Sequence, residues 1–311
     1  MRQNALEVSE LWVSFEKGSK AFHALRGISF SLEKGQTLSL VGESGSGKTT
    51  ATRASLGLIA PTKGKVTLLG VDINNCSKDK LIETRRRCGY ISQNPYDSIP
   101  PTLTTLDAVA EPLVICKGLN KKTARERAKE MLSVCGIVDE VVLNGRVKFS
   151  LSGGQKQRVA LARALVTDPE IIFADEPTSM QDASNRGDIL DILQEYVKKG
   201  SSLVLTTHDL YLAAAATEHS IILFHGKIME AGPSKEILKK PLHFYTKALL
   251  DALPGLGKKI KKPSLKQGEP EYRLSGCPFL TRCPRGIDKC SKTCPPIKEV
   301  SPGHFVACWL L

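Results

Sequence analysis

Short apolar runs alternate with helical periodicities along this chain, and the alternation predicts an α/β fold. Residues Leu6 to Leu32 read as short strands: Val8, Leu11, Val13 and Phe15 carry strand spacing, and Ile28, Phe30 and Leu32 alternate cleanly, with Gly18 and Gly27 as punctuation. Gln36 to Val41 reads as a short buried strand, and Lys48 to Leu58 as a helix stopped by Pro61. Gly64 to Gly70 is a glycine-bounded strand, and a further apolar strand ends at Gln93. From about Leu106 to Val142 the period becomes helical. There Ala124, Ala128, Met131, Leu132 and Cys135 share one helix face that Gly136 ends. A helix over Lys156 to Val166 ends at Asp168-Pro169; Glu170 to Ala174 and Ser201 to Thr207 are strands.

The strand, turn and helix around Gly42-Glu43-Ser44-Gly45-Ser46-Gly47-Lys48-Thr49 give that octapeptide its meaning. It fits G-x-x-x-x-G-K-[ST], a phosphate-binding loop, in the context the motif requires. Glycines let the backbone N–H groups turn inward, and these form an anion nest at the helix N-terminus. Lys48 reaches β- and γ-phosphates, the Thr49 hydroxyl ligates Mg²⁺, and Thr50 completes the phosphate-binding set with Gly42, Ser44, Gly45, Ser46 and Gly47. An aromatic upstream can stack on a nucleotide base; Phe15 is the first candidate and Phe22 the second, with core packing an equal reading of either.

Other residues take their roles from this loop. Gln93, a neutral amide at a strand end, coordinates Mg²⁺ or orients water. Leu151-Ser152-Gly153-Gly154-Gln155 opens a helix and makes a second anion-binding terminus. One nucleotide needs one phosphate loop, so the second terminus points to a dimer in which Ser152, Gly153, Gly154 and Gln155 face the partner's nucleotide. Asp175 and Glu176 follow a buried strand, where ligands bind in parallel α/β sheets. Asp175 then holds Mg²⁺ through water and Glu176 is the general base. His208 ends the next strand and contacts the γ-phosphate.

Composition sets the compartment and the partners. The chain of 311 residues has net charge +12, which suggests an anionic neighbour such as nucleotide, nucleic acid or phospholipid, or a merely soluble surface. Lys258, Lys259, Lys261 and Lys262 read as a solvated linker or as a contact to anionic headgroups. No run of about 18 apolar residues appears, and Met1 to Glu10 has no signal-peptide pattern, so the expectation is a cytoplasmic chain that spans no membrane. Of nine cysteines, Cys76, Cys88, Cys116 and Cys135 are dispersed and read as buried thiols. Cys277, Cys283, Cys290, Cys294 and Cys308 crowd into a prolyl tail with little apolar content, which is expected to bury little core. Four such thiolates bind zinc or a four-iron four-sulfur cluster, or stay free.

Taken together, the loop at Gly42–Thr49 (Walker A), Gln93, the Leu-Ser-Gly-Gly-Gln signature, the Ile171–Glu176 strand and His208 resemble the ATP-binding subunit of an ABC transporter. Finer features resemble the oligopeptide/dipeptide/nickel importer branch: Ser92-Gln93-Asn94-Pro95-Tyr96-Asp97-Ser98-Ile99-Pro100-Pro101, the stretch Pro241 to Pro254, and the tail from Gly276-Cys277-Pro278-Phe279 through Arg282-Cys283-Pro284 to Pro302-Gly303-His304 and Ala307-Cys308. The resemblance implies a P-loop NTPase fold of the ABC nucleotide-binding type, with an inserted helical subdomain over about 96–150 and a small Cys-rich C-terminal extension. The ATPase domain spans 1–252, a linker 253–272 and the extension 273–311.

It further implies ATP sandwiched between two ATPase subunits, the second similar but not identical. Two transmembrane permease subunits and an extracellular substrate-binding protein complete the assembly, at the cytoplasmic face of the cell membrane, with no nucleic acid. Peptides, nickel chelates or oligosaccharides are the cargo classes, and some members carry an iron–sulfur cluster on positions matching Cys277, Cys283, Cys290 and Cys308. A soluble ABC ATPase acting on nucleic acid or ribosomes is the alternative. The chain departs from the family pattern at Met180-Gln181-Asp182 and at Val147-Lys148-Phe149-Ser150.

Overall fold

The computed structural model describes residues 3–15, 22–179, 186–252 and 275–311, with the side chains of Asp97 and Ser150 outside the description. The Met180-Gln181-Asp182 departure and the linker with its four lysines lie outside the described residues. In chain order the elements are β1 (Asn4–Phe15), β2 (Phe22–Glu33), β3 (Thr37–Val41), α1 (Lys48–Ser55), β4 (Lys63–Leu68) and β5 (Val71–Asp72). Then come α2 (Lys78–Arg85), β6 (Cys88–Ile91), α3 (Thr105–Lys117), α4 (Lys121–Val134), α5 (Glu140–Asn144), α6 (Val147–Ser150), α7 (Gly153–Leu165), β7 (Ile171–Asp175), α8 (Arg186–Lys198) and β8 (Ser202–Thr207). The chain closes with α9 (Leu210–Ala216), β9 (His219–Phe224), β10 (Lys227–Pro233), α10 (Ser234–Lys239), α11 (Phe244–Ala252), α12 (Asp288–Lys292), β11 (Lys298–Ser301) and β12 (His304–Val306). Among the described residues no helix is long and apolar enough to cross a membrane.

Contacts divide the chain into two units. The phosphate-loop unit comprises residues 6–32, 37–75 and 205–311. Its antiparallel sheet has the order β2-β1-β4-β5. The expected short strands at the start are two strands of 12 residues each. A bulge between Ser9 and Trp12 in the β1–β4 register explains the irregular spacing of Val8 and Leu11. All five residues of β3 are buried, as in a parallel strand covered on both faces, and β3 pairs with β9 from Leu38↔His219 to Val41↔Ile222. β9 and β10 form a hairpin whose two turn residues, His225 and Gly226, have φ of 44° and 73°. Helix α1 stops at Ser55, short of the expected Leu58, because Gly57 at φ 67° supplies a left-handed end.

The tail departs most from expectation. β12 pairs with β10 and β11 with β12, so the tail extends the mixed sheet. Phe279 is 1% exposed and joins Val41, Phe224, Tyr245, Leu249, Cys277 and Cys290 in one apolar cluster. Its ring lies edge-on to Phe224 at 5.4 Å between centroids and 5.4 Å from Tyr245. Buried Glu230 on β10 accepts from His304 Nε2 at 2.7 Å, from Leu242 N at 2.9 Å and from His243 N at 3.0 Å. The tail therefore does bury core, using partners from β9, β10 and α11 in place of its own.

The second unit comprises residues 1–5, 33–36 and 76–204. β6 and β7 pair in parallel from Cys88↔Ile171 to Ile91↔Ala174, and β7 is buried throughout. In α4 the buried residues are Ala124, Ala128 and Leu132, with buried Cys135 capping its end, on the face that the sequence predicts, while Met131 on that face is only half-buried. Asp107, bonded by the Thr104 hydroxyl and by Arg125 at 2.5 Å, fixes the start of α3 and lies below the usual carboxylate range despite partial burial. Cys135 is buried, but Cys76, Cys88 and Cys116 are only half-buried.

Truncating the tail's central aromatic tests its place in the core. Phe279→Ala is expected to cost about 3–5 kcal/mol. Urea denaturation followed by intrinsic fluorescence measures it, and an unchanged midpoint would contradict the packing.

Candidate active site

The phosphate loop is held at each end by backbone. Gly42 N donates to Thr207 O at 3.3 Å, Ser46 N to Glu43 O at 3.2 Å, and Gly226 N to Ser46 O at 2.9 Å. The hairpin turn of β9 and β10 thus supports the middle of the loop. Gly47 has φ 107° and caps α1; a Cβ there would meet Ala24 O at 2.7 Å. Lys48, 5% exposed, donates through Nζ to Gly42 O at 2.7 Å and Glu43 O at 3.0 Å, which lays its ammonium over the loop. Ser44 and Gly45 are exposed, Ser46 is buried, and Thr49 and Thr50 are half-buried in the first turn of α1. The helix end and its preceding amides together form a site for anionic oxygens.

In the same unit, β8 ends at Thr207, the residue that holds Gly42, and exposed His208 follows directly. Asp209 next caps α9, accepting from Tyr211 N at 2.8 Å and Leu212 N at 3.2 Å. Phe15 and Phe22 are 44% and 46% exposed, so neither is a core residue; the packing alternative is corrected by burial. Their open rings suit base stacking.

The other unit carries the signature. Ser152 caps α7 with a capping box: Gln155 N donates to Ser152 Oγ at 3.3 Å, and Ser152 N to Gln155 Oε1 at 2.9 Å. Ser152 is exposed and Gly153 and Gly154 half-buried, so the helix end faces outward. Gln157 Nε2 donates to Pro177 O at 2.8 Å, tying α7 to the turn after β7. Asp175 at the end of β7 is fully buried, and in the turn that follows, Glu176 takes φ 45°, a strained conformation for a residue with a side chain. Ser179 N donates to Glu176 O at 3.1 Å and closes the turn. Gln93 is exposed beyond β6; three residues on, the ring centre of Tyr96 lies 4.2 Å from the Lys156 ammonium of α7. The donors expected for Mg²⁺, the Thr49 hydroxyl, the Gln93 amide and the Asp175 carboxylate, are all oxygens, which suits that hard cation.

The cysteines fit the sequence expectation less well. Cys277, Cys283, Cys290 and Cys308 line one cavity with Phe279 and Trp309, and Cys294 does not. The cavity is about 10 Å³, the space of roughly one water. Burial pushes the Cys277 thiol up to about 12, which favours the neutral form. Among the described residues no group of three or more His, Cys, Asp or Glu side chains is arranged to hold a metal ion. The expected iron–sulfur or zinc ligand set is therefore unsupported.

Comparison with known proteins decides the family. A family model described as ABC transporter matches residues 25–179, and one described as oligopeptide/dipeptide transporter, C-terminal region, matches residues 229–290. A peptide import ATP-binding protein of Brucella ovis is 37% identical over 97% of this chain and 96% of its own length. The dipeptide transport ATP-binding protein DppD of Bacillus subtilis is 35% identical over 99% of this chain and 95% of its own. This chain belongs to the ABC transporter family, in its oligopeptide/dipeptide branch.

The ABC cassette resembles solved cassettes in fold as well. The dimeric cassette MJ0796, in a post-hydrolysis state bound to ADP and Pi, superposes with a TM-score of 0.69 at 30% identity, covering 74% of this chain and 98% of that one. The ABC cassette is accordingly an ATPase of the transport-coupled kind. Sequence reasoning gave no role to three residues that the structure brings to the phosphate loop: Glu43, Tyr245 and Arg282. Glu43 N donates to Tyr245 Oη at 2.9 Å, and the Arg282 guanidinium forks onto the Glu43 carboxylate at 2.8 and 2.9 Å. Glu43 fills a variable position of the loop motif, and the partners lie 202 and 239 residues away, so no local pattern signals the contact.

Gly47→Ala is expected to abolish nucleotide binding, since the new Cβ meets a backbone carbonyl in a left-handed conformation. Titration with fluorescent MANT-ATP reads this directly, and a variant that binds with native affinity would contradict the loop geometry.

Proposed function

We propose that this chain is the ATP-hydrolysing subunit of an importer for peptides or dipeptides. The observation that carries this reading is the end-to-end similarity to peptide and dipeptide import ATP-binding proteins, tail included. The oligosaccharide cargo and the nucleic-acid or ribosome alternative gain no support from it. The reaction is phosphoryl transfer from ATP to water, in which positioning and charge stabilisation do most of the work.

The nest at Gly42–Thr49 and the Lys48 ammonium grip the phosphates. Thr49, Gln93 and Asp175 would hold Mg²⁺, which would supply positive charge to the transferring phosphoryl group. Glu176 takes the proton of the attacking water; its strained turn, locked by Gln157 and Ser179, supports a residue held for chemistry. His208 contacts the γ-phosphate, and Phe15 stacks on the base. The outward-facing Ser152, Gly153, Gly154 and Gln155 act on the nucleotide of a second ATPase subunit, as the dimeric state of MJ0796 supports.

This chain sits at the cytoplasmic face of the membrane, and two transmembrane permease subunits and an extracellular substrate-binding protein complete the assembly. A groove of about 350 Å³ lined by Pro95, Tyr96, Ile99, Pro101, Val147 and Lys148 supports the permease contact. Phe149 beside it is 76% exposed. It is mainly apolar and concave, as a docked helix requires.

Two measurements test this. Glu176→Gln is expected to retain MANT-ATP binding and to lose turnover by about 100-fold or more, the scale of a general base; native phosphate release would sink the assignment. Tagged protein drawn from native membranes in mild detergent is expected to bring two multi-span proteins and a second ATPase, and ribosomal proteins in their place would overturn the transport reading.

A further inference from the structure

We propose that Arg282, on the Cys-rich tail, is a positioning residue of the nucleotide site. It neutralises and ties down the Glu43 carboxylate, so that the tail sets the affinity of the phosphate loop for nucleoside triphosphate.

The loop gathers backbone N–H groups and the Lys48 ammonium to receive a polyanion. A carboxylate on its second residue works against that purpose by like-charge repulsion. The Glu43 side chain is 38% exposed and that of Arg282 16%. Nη1 of Arg282 donates to Oε2 at 2.8 Å and Nη2 to Oε1 at 2.9 Å, a two-pronged pair in which both partners keep a fixed orientation. The carboxylate in turn raises the Arg282 pKa further, although burial opposes it.

The guanidinium is anchored independently of Glu43. It lies 5.9 Å from the ring centre of Phe224 and 5.6 Å from that of Phe279, two rings of the buried cluster. Glu43 is held a second time, through its own N–H to the hydroxyl of Tyr245, which is fully buried. One residue of the loop is thus clamped at backbone and side chain by groups from α11 and the tail. Lys48 bonds the carbonyl of the same Glu43, so the clamp also bears on the lysine that receives the phosphates. A lysine at 282 could supply the charge but not the fork.

The inference rests on Gly42–Thr49 being the ATP site, and Lys48→Ala is the control for that. Native MANT-ATP affinity in Lys48→Ala would sink the site itself. With the full chain and Mg-MANT-ATP, Arg282→Gln is expected to raise Kd about tenfold, the scale of one hydrogen bond to a charged group. Glu43→Gln alone is expected to bind as tightly as the native chain or tighter. The double variant Glu43→Gln, Arg282→Gln is expected to return to within about twofold of native, because neutralising Glu43 removes the need for its partner. Arg282→Lys falls between native and Arg282→Gln.

A purely structural role for Arg282 predicts the opposite for the pair. A folding defect caused by losing the guanidinium would persist in the double variant, whereas a charge defect disappears. In the assembled transporter Arg282→Gln raises KM for ATP and leaves kcat unchanged, since the contact acts on nucleotide binding. Native Kd in Arg282→Gln, failure of Glu43→Gln to rescue it, or Arg282→Lys as weak as Arg282→Gln would each overturn the proposal.

Discussion

A loop that binds anions with its backbone must be rigid before the ligand arrives, because a floppy ring of N–H groups would lose its binding energy to ordering. That requirement organises the phosphate-loop unit. Gly42 hangs from the end of β8, Ser46 from the turn of the β9–β10 hairpin, and Gly47 abuts the Ala24 carbonyl so closely that no side chain fits. The hairpin can give that support because both of its turn residues adopt positive φ, which lets Gly226 approach Ala24 and Ser46 at once. β3, buried on both faces, delivers the chain into the loop from a position that cannot shift without unpacking the cluster around Val41.

Charge follows geometry. On the signature side, Ser152 and Gln155 satisfy one another's backbone donors in the capping box, and two glycines follow without side chains to shield the helix end. Helix α7 is also the brace of the turn that carries Glu176, since Gln157 bonds the carbonyl of Pro177 one residue on. A single helix thereby presents its N-terminus outward and braces the turn that carries Glu176. Strain at Glu176 persists because the bonds to Pro177 and Ser179 over-determine the turn.

Much of this was legible in the residues. Motifs read well where function depends on consecutive positions: the loop Gly42–Thr49, the cap at Ser152, and Asp175-Glu176 after an apolar strand all lie where their spacing put them. Periodicity found the buried face of α4 at Ala124, Ala128 and Leu132, though Met131 on it is only half-buried. It misjudged lengths where backbone conformation intervenes, as at Gly57, which ends α1 early, and at the bulge that lets β1 run on. Phe15 shares the face of buried Leu11 and Val13, yet it is exposed as the last residue of β1, which spacing alone does not show. Contacts between distant segments left no trace: nothing near Glu43 announces Arg282.

The tail shows why composition misleads for a short segment. Few apolar residues and many prolines imply a piece that needs a staple, and by itself a segment of this size could not bury enough surface to fold. Its apolar side chains, however, are spent on a core that already exists. Phe279 completes a cluster begun by Val41, Phe224 and Tyr245, and His304 completes the bonding of Glu230, a carboxylate that burial would otherwise make costly. A segment held this way has no stability separate from the phosphate-loop unit. Any change in how the tail packs is felt at Phe224 and Tyr245, and those two side chains are one contact from the loop through Arg282 and Glu43. The tail is therefore a support of the phosphate loop as much as an extension of the sheet.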